Sequence, residues 1–192
     1  MKLFLALTAC WLLALVSADD PQPCTAPDLM EGWMSIVHLS TTKYGRFSYD
    51  AIHQRLYTDL TFYRGGKGVQ QVDLMLYNES VMYNFFPGNR SCVKHSLRTP
   101  FQPFGVPPNA TFLSQIFSGA VSFPKARLLF NIWGGVLDRV NYAMIFTEHG
   151  CFPLFSTFYQ TQGWFFKSFN DITMGIQDPN IFKPPVECTD LL

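Results

Sequence analysis

Glu148-His149-Gly150-Cys151 sets a carboxylate, an imidazole and a sulfur side by side. Those are the parts of a Cys-His nucleophile pair, in which a base draws off the thiol proton. That chemistry needs a free thiolate. Cys10 falls in an apolar leader, which leaves Cys24, Cys92, Cys151 and Cys188. An even set of cysteines in an exported chain is expected to be bridged, and a bridged cysteine cannot attack. None of the four stands in a C-x-x-C pair, so zinc-ribbon and thioredoxin-like redox chemistry are disfavoured. Three pairings are possible, and the residues alone do not choose among them.

The remaining candidates are weaker. Gly65-Gly66-Lys67-Gly68 places a lysine among glycines, but no Ser or Thr follows Lys67 and a second strand pattern does. It reads as a hairpin loop and not as a phosphate-binding loop. His38, His53 and His95 are scattered, with no paired-His spacing for zinc. No G-x-S-x-G context exists for a serine nucleophile, and no D-x-[DN]-x-[DN]-G loop exists for calcium. The reading is a protein without enzymatic activity and without a required cofactor.

The ends and the turns carry more information. Met1-Lys2, an apolar run from Leu3 to Val16 and the small residues Ser17-Ala18 make a secretory signal peptide over residues 1–18. A lipoprotein reading of Leu7–Cys10 fails because the apolar run continues well beyond Cys10. The run is shorter than the roughly 20 residues of a membrane span. The expected product is a single exported domain, residues 19–192, that is not transmembrane. Asn78-Glu79-Ser80, Asn89-Arg90-Ser91 and Asn109-Ala110-Thr111 are glycan acceptor motifs in turn-like surroundings. The chain holds 14 basic and 14 acidic side chains and no basic run, a poor match to nucleic acid.

Strand patterns must position all of this. Leu56, Thr58, Leu60 and Phe62 share one face, as do Val72, Leu74 and Leu76, and Val81, Tyr83 and Phe85. The same bias returns over residues 126–132, 141–147, 152–160 and 164–169. Alternation at period two with close-set turns predicts an antiparallel all-β fold. Pro100 to Pro108 is the richest in breakers and is expected to cross from one sheet to another. Phe112 to Ser118, just after it, is the best site for a minor helix. Aromatic residues make up 16% of the chain, 19 of them Phe. Several strands are apolar on both faces, so a second sheet, a partner subunit or an apolar ligand must cover the outer one.

The closing stretch, D-I-x-x-G-I-x-D-P-x-x-F-x-P-P-x-x-C from Asp171 to Cys188, resembles the C-terminal signature of the ependymin family. Cys24-Thr25-Ala26-Pro27, Glu31-Gly32, Phe47-Ser48-Tyr49-Asp50, Ser91-Cys92, Pro107 to Phe112 and Cys151-Phe152-Pro153 follow the same family's order. The resemblance covers nearly the whole exported chain. It implies a secreted or lysosomal glycoprotein, commonly a homodimer, with a lipoprotein-carrier-like fold. In that fold two curved antiparallel sheets enclose a hydrophobic pocket. It also implies bridges Cys24–Cys151 and Cys92–Cys188. The expected function is binding of lipid or another apolar ligand, with Trp133, Phe146, Phe158, Trp164 and Phe166 as the candidate pocket aromatics. The alternative that the resemblance implies is a calcium-dependent glycoprotein adhering to extracellular matrix, although no calcium ligand can be named.

Overall fold

A computed structural model of the chain describes residues 20–39, 41–119, 122, 127–160 and 163–189. The expected signal peptide, residues 1–18, lies outside them. Eleven strands follow in order: β1 (Leu29–His38), β2 (Thr41–Asp50), β3 (Arg55–Arg64), β4 (Lys67–Leu76), β5 (Val81–Phe86), β6 (Ser91–Ser96), β7 (Thr111–Ser118), β8 (Leu128–Leu137), β9 (Val140–Thr147), β10 (Pro153–Gln160) and β11 (Gly163–Met174). The all-β expectation holds.

The two expected sheets are one. The spatial order is β6-β5-β4-β3-β2-β1-β11-β10-β9-β8-β7, every neighbour antiparallel, with β6 and β7 as open edges. One meander runs from β1 in the middle out to β6. Residues 97–110 then cross to the opposite edge, and a second meander runs from β7 back to β11. The halves join because β1 and β11 pair along most of their length, from Met30↔Met174 to His38↔Phe165. That ladder leaves no edge between them, so the breaker-rich crossover links two edges of one sheet.

Phe112 to Ser118 is also corrected: it lies in β7, paired from Thr111↔Gly134 to Ser118↔Leu128, and is not a helix. Its apolar residues at 112, 113, 116 and 117 imitate a helical period. An edge strand with a register shift between Phe112 and Ser114 shows no clean alternation. The hairpin reading of the glycine loop is met by a two-residue turn, Gly65-Gly66, between the paired Arg64 and Lys67. Both glycines have positive φ, +58° and +78°, as such turns require.

The sheet is strongly curved. Leu56 on β3 and Leu137 at the end of β8 line one cavity. In a flat sheet, strands six places apart would stand roughly 29 Å from each other at about 4.8 Å per step. The inner face carries Met30, Met34, Phe47, Tyr49, Leu60 and Phe169 as one buried cluster. Trp133, Tyr142, Met144 and Phe146 form another. On the outer face of the first meander, Leu74, Leu76 and Tyr83 are buried under Phe182 and Cys188, with Ile176 and Ile181 alongside. The C-terminal stretch therefore covers that outer face, and the Cys92–Cys188 disulfide fastens it to β6. Arg55 joins the same cover, its guanidinium 4.3 Å from the centre of the Phe182 ring.

Asp50 organises the β2–β3 turn that holds Arg55. It is buried and accepts hydrogen bonds from the His53 N–H at 2.9 Å and from Arg55 Nε at 3.1 Å. Burial pushes its carboxyl up, but the hydrogen bonds from Arg55 and His53 outweigh that and hold it below its ordinary value.

The turns and close approaches can be tested by substitution. A Cβ at Gly45 would lie 1.9 Å from the Asp59 carbonyl oxygen. Gly45→Ala should therefore lower stability by about 3 kcal/mol or more in urea unfolding with the disulfides intact. Gly65→Ala, in open space, should cost only about 1 kcal/mol. The Asp50 contribution should be fully present above the unfolded carboxylate value near 3.9, and lost as pH falls through the lower folded value. Asp50→Asn should lower the melting temperature at pH 7 and flatten its decline in acid.

Candidate functional site

The cavity between the curved sheet and its inner cover has a volume of about 300 Å³. The sheet contributes Met144 and Phe146 from β9, Ser156 and Phe158 from β10, Lys167 and Phe169 from β11, and Leu56 from β3. The crossover contributes Gln102, Pro103, Phe104, Gly105 and Pro107. Tyr77 lines it as well. Among the described residues no carboxylate lines the cavity, and Lys167 is the one cation that does.

The inner cover is built from two chain segments. Thr25 pairs with Gly105 as an isolated antiparallel bridge. Ala26 N–H donates to the Phe104 carbonyl at 2.9 Å, and Val106 N–H donates to the Cys24 carbonyl at 2.8 Å. The Cys24–Cys151 disulfide ties this pair of segments to the turn between β9 and β10. Both implied bridges are thus formed, and the Cys151 sulfur is unavailable for the nucleophile chemistry that Glu148 and His149 suggest.

Tyr49 holds the crossover against the sheet. Its ring stacks on Phe104 at 4.4 Å with 5° between planes, and its hydroxyl accepts the Phe104 N–H at 3.0 Å. Phe101 stacks on Tyr49 as well, at 5.9 Å. Phe104 also meets Phe47 and Phe169 edge-on or tilted, at 6.3 and 5.4 Å. A phenol that stacks and hydrogen-bonds at once fixes both the depth and the direction of the segment.

The five expected pocket aromatics separate by strand parity. Phe146 and Phe158 line the cavity. Trp133 is fully buried in the wall behind it, edge-on to Phe112 at 5.4 Å. Trp164 and Phe166 do not face the cavity. They stack on each other at 5.4 Å on the outer face, where Trp164 is 43% exposed. Adjacent residues of a strand point to opposite faces, so Phe165 and Lys167 take the inner positions. Phe165 stacks on Phe158 at 4.8 Å. Sequence reading passed over Lys167 and Phe104. The lysine stands among aromatics on a strand, and the phenylalanine sits in a segment whose prolines read only as a breaker.

Lys167 is half-buried in the apolar wall, and the partial loss of hydration holds its ammonium below the ordinary lysine value. Across the register its neighbours are Ser156 on β10 and Ile36 on β1. Asn78 and Asn89 stand exposed in short 3₁₀ segments, Tyr77–Glu79 and Pro87–Asn89, and Asn109 stands exposed in a turn. The Asn89 side-chain carbonyl accepts the Ser91 hydroxyl at 2.7 Å.

Calcium takes six to eight oxygen ligands. Among the described residues no group of three or more His, Cys, Asp or Glu is placed to hold a metal ion. Two carboxylates on the sheet are engaged elsewhere. Glu31 accepts from Ser48 at 2.9 Å and from the Gln177 N–H at 3.2 Å. Asp59 accepts from Gln70 at 2.8 and 3.0 Å. These residues do not fit the ion. No helix among the described residues is long and apolar enough to cross a membrane.

The sequence pattern of the Ependymin family matches residues 67–188. Ependymin-2 of Carassius auratus is 27% identical over 192 residues, covering 98% of this chain and 89% of that protein. Mammalian ependymin-related protein 1 of Rattus norvegicus is 28% identical over 187 residues, covering 93% and 82%. Among solved structures, an uncharacterized conserved protein from Thermus thermophilus aligns with a TM-score of 0.50 at 10% identity, covering 93% of this chain and 95% of that one. That likeness concerns the fold alone.

Tyr49 gives the test of the cover. Tyr49→Phe keeps the stack but strips the Phe104 N–H of its acceptor, and should cost about 1–2 kcal/mol. Tyr49→Ala should cost about 3–5 kcal/mol. Amide exchange should quicken first at residues 101–106 in the Phe variant, before the strands respond.

Proposed function

The chain belongs to the ependymin family, and on that premise we propose that it is a secreted, non-enzymatic glycoprotein that binds lipid or another apolar ligand in the cavity under its inner cover. The observation that carries this reading is the cavity itself. It has about 300 Å³ of space walled by Met144, Phe146, Phe158, Phe169, Leu56 and Phe104. A volume of that order is at the small end for ligand sites. An apolar ligand would replace the missing packing partners of these side chains.

In this reading export follows cleavage near Ala18, delivery is extracellular or lysosomal, and Asn78, Asn89 and Asn109 receive glycans. A homodimer is part of it. Trp164, Phe166 and Phe155 form a partly exposed aromatic patch on the outer face of β10 and β11, and a second copy would cover it. The adhesion reading, with calcium and matrix as partners, has no such observation behind it.

The test is solvent extraction of the purified secreted chain, followed by displacement of a fluorescent fatty acid. Bound lipid, or displaceable probe lost about tenfold in Phe158→Glu, is the expected result. An empty extract with no probe binding would defeat the reading. A rise in melting temperature at millimolar calcium, with no apolar ligand bound, would favour the adhesion reading instead.

A further inference from the structure

The cavity's charge is unbalanced, and that imbalance selects among apolar ligands. Lys167 lies on the same inner face as its cross-strand partners Ser156 and Ile36. One strand further along that row come Met144 on β9 and Lys43 on β2. Along the inner face of β11 the neighbouring positions are Phe165 and Phe169, and beside them on β1 lie His38 and Met34. None of these is an acid. Lys43, the other cation, is engaged with Gln71 at 3.0 Å and lies over the Phe62 ring. Lys167 makes no hydrogen bond or ion pair among the described residues, whereas Ser156 stands directly across from it, buried.

A half-buried cation without a partner has lost hydration that an anionic group could replace. We propose that Lys167, with the Ser156 hydroxyl beside it, is the docking point for the anionic head of a single-chain amphiphile whose alkyl tail lies against Phe146, Phe158 and Phe169. This rests on the apolar-ligand reading above and narrows it to a ligand class. The cavity of about 300 Å³ is at the small end for ligand sites, which favours a slender single alkyl tail over a bulkier ligand. Carboxylate and phosphate monoester heads share the required chemistry: both accept charge-assisted hydrogen bonds from an ammonium and a hydroxyl.

The experiment is calorimetric titration of the disulfide-bonded secreted chain with decanoate, decyl phosphate and decanol at neutral pH. Wild type should bind decanoate or decyl phosphate about tenfold or more tighter than decanol, and whichever anion binds better names the head. Lys167→Met keeps the length and apolar body of the side chain. It should erase the preference, bringing both anions to within about threefold of decanol in the same variant. Binding of decanol with no preference for either anion in wild type overturns the proposal and leaves the apolar-ligand reading standing. So does a Lys167→Met protein that keeps the preference. Failure of all three probes to bind wild type defeats both. The wild-type comparison decides the matter even where the variant does not fold.

Discussion

An antiparallel sheet with apolar side chains on both faces cannot stand in water, and the rest of this structure answers that constraint. Most sheets of this kind bury one face and wet the other. Here Phe47, Tyr49 and Phe169 are buried on one side of the sheet, and Leu74, Leu76 and Tyr83 on the other. Among the described residues there is no second sheet to cover them. Non-strand segments supply the covers: the N-terminal stretch with the crossover inside, and the C-terminal stretch outside. Each cover is pinned by one disulfide, Cys24–Cys151 inside and Cys92–Cys188 outside. The bridges span 127 and 96 residues of sequence, long loops whose closure contributes up to roughly 4–5 kcal/mol each. Irregular segments bury little apolar surface per residue, and covalent anchors offset that weakness.

This division explains the rigid ending of the chain. Asp178 accepts the Asn180 N–H at 2.9 Å and opens the 3₁₀ turn Pro179–Phe182, which delivers Phe182 to the outer face. Pro184 and Pro185 then lead into the single helical turn Val186–Thr189 that carries Cys188. A flexible ending would lose the geometry that lets one short segment shield three strands. The inner cover bridges a curved floor and touches it through Ala26, Phe101, Phe104 and Val106. The space left under it is the cavity.

Much of the sheet was legible from the chain. Strands with buried alternation, such as Val72-Asp73-Leu74-Met75-Leu76, announce themselves because one face is packed and the next is less so. Three strands did not. β1 carries Met30, Gly32 and Met34 inward, residues with little β preference, and its ladder with β11 is shifted between Glu31 and Trp33. β6 and β7 are edges with exposed side chains, so burial imposes no period on them. The joining of two meanders through β1 and β11 is a long-range pairing that no local pattern encodes. At the site, the type of residue was readable but its face was not. Phe165 and Phe166 are chemically alike, and only the register of β11 decides which one turns inward.

The central claim is that the space beneath the crossover is where an apolar molecule goes. Met144 lies on the cavity wall, whereas Met174 is 74% exposed on β11 away from it. Methyl NMR of the methionine-labelled secreted chain, titrated with decanol, addresses the claim directly. The account predicts a saturable shift of the Met144 methyl, with Met174 unmoved. Shifts confined to exposed methionines, or none at saturating decanol, would contradict it.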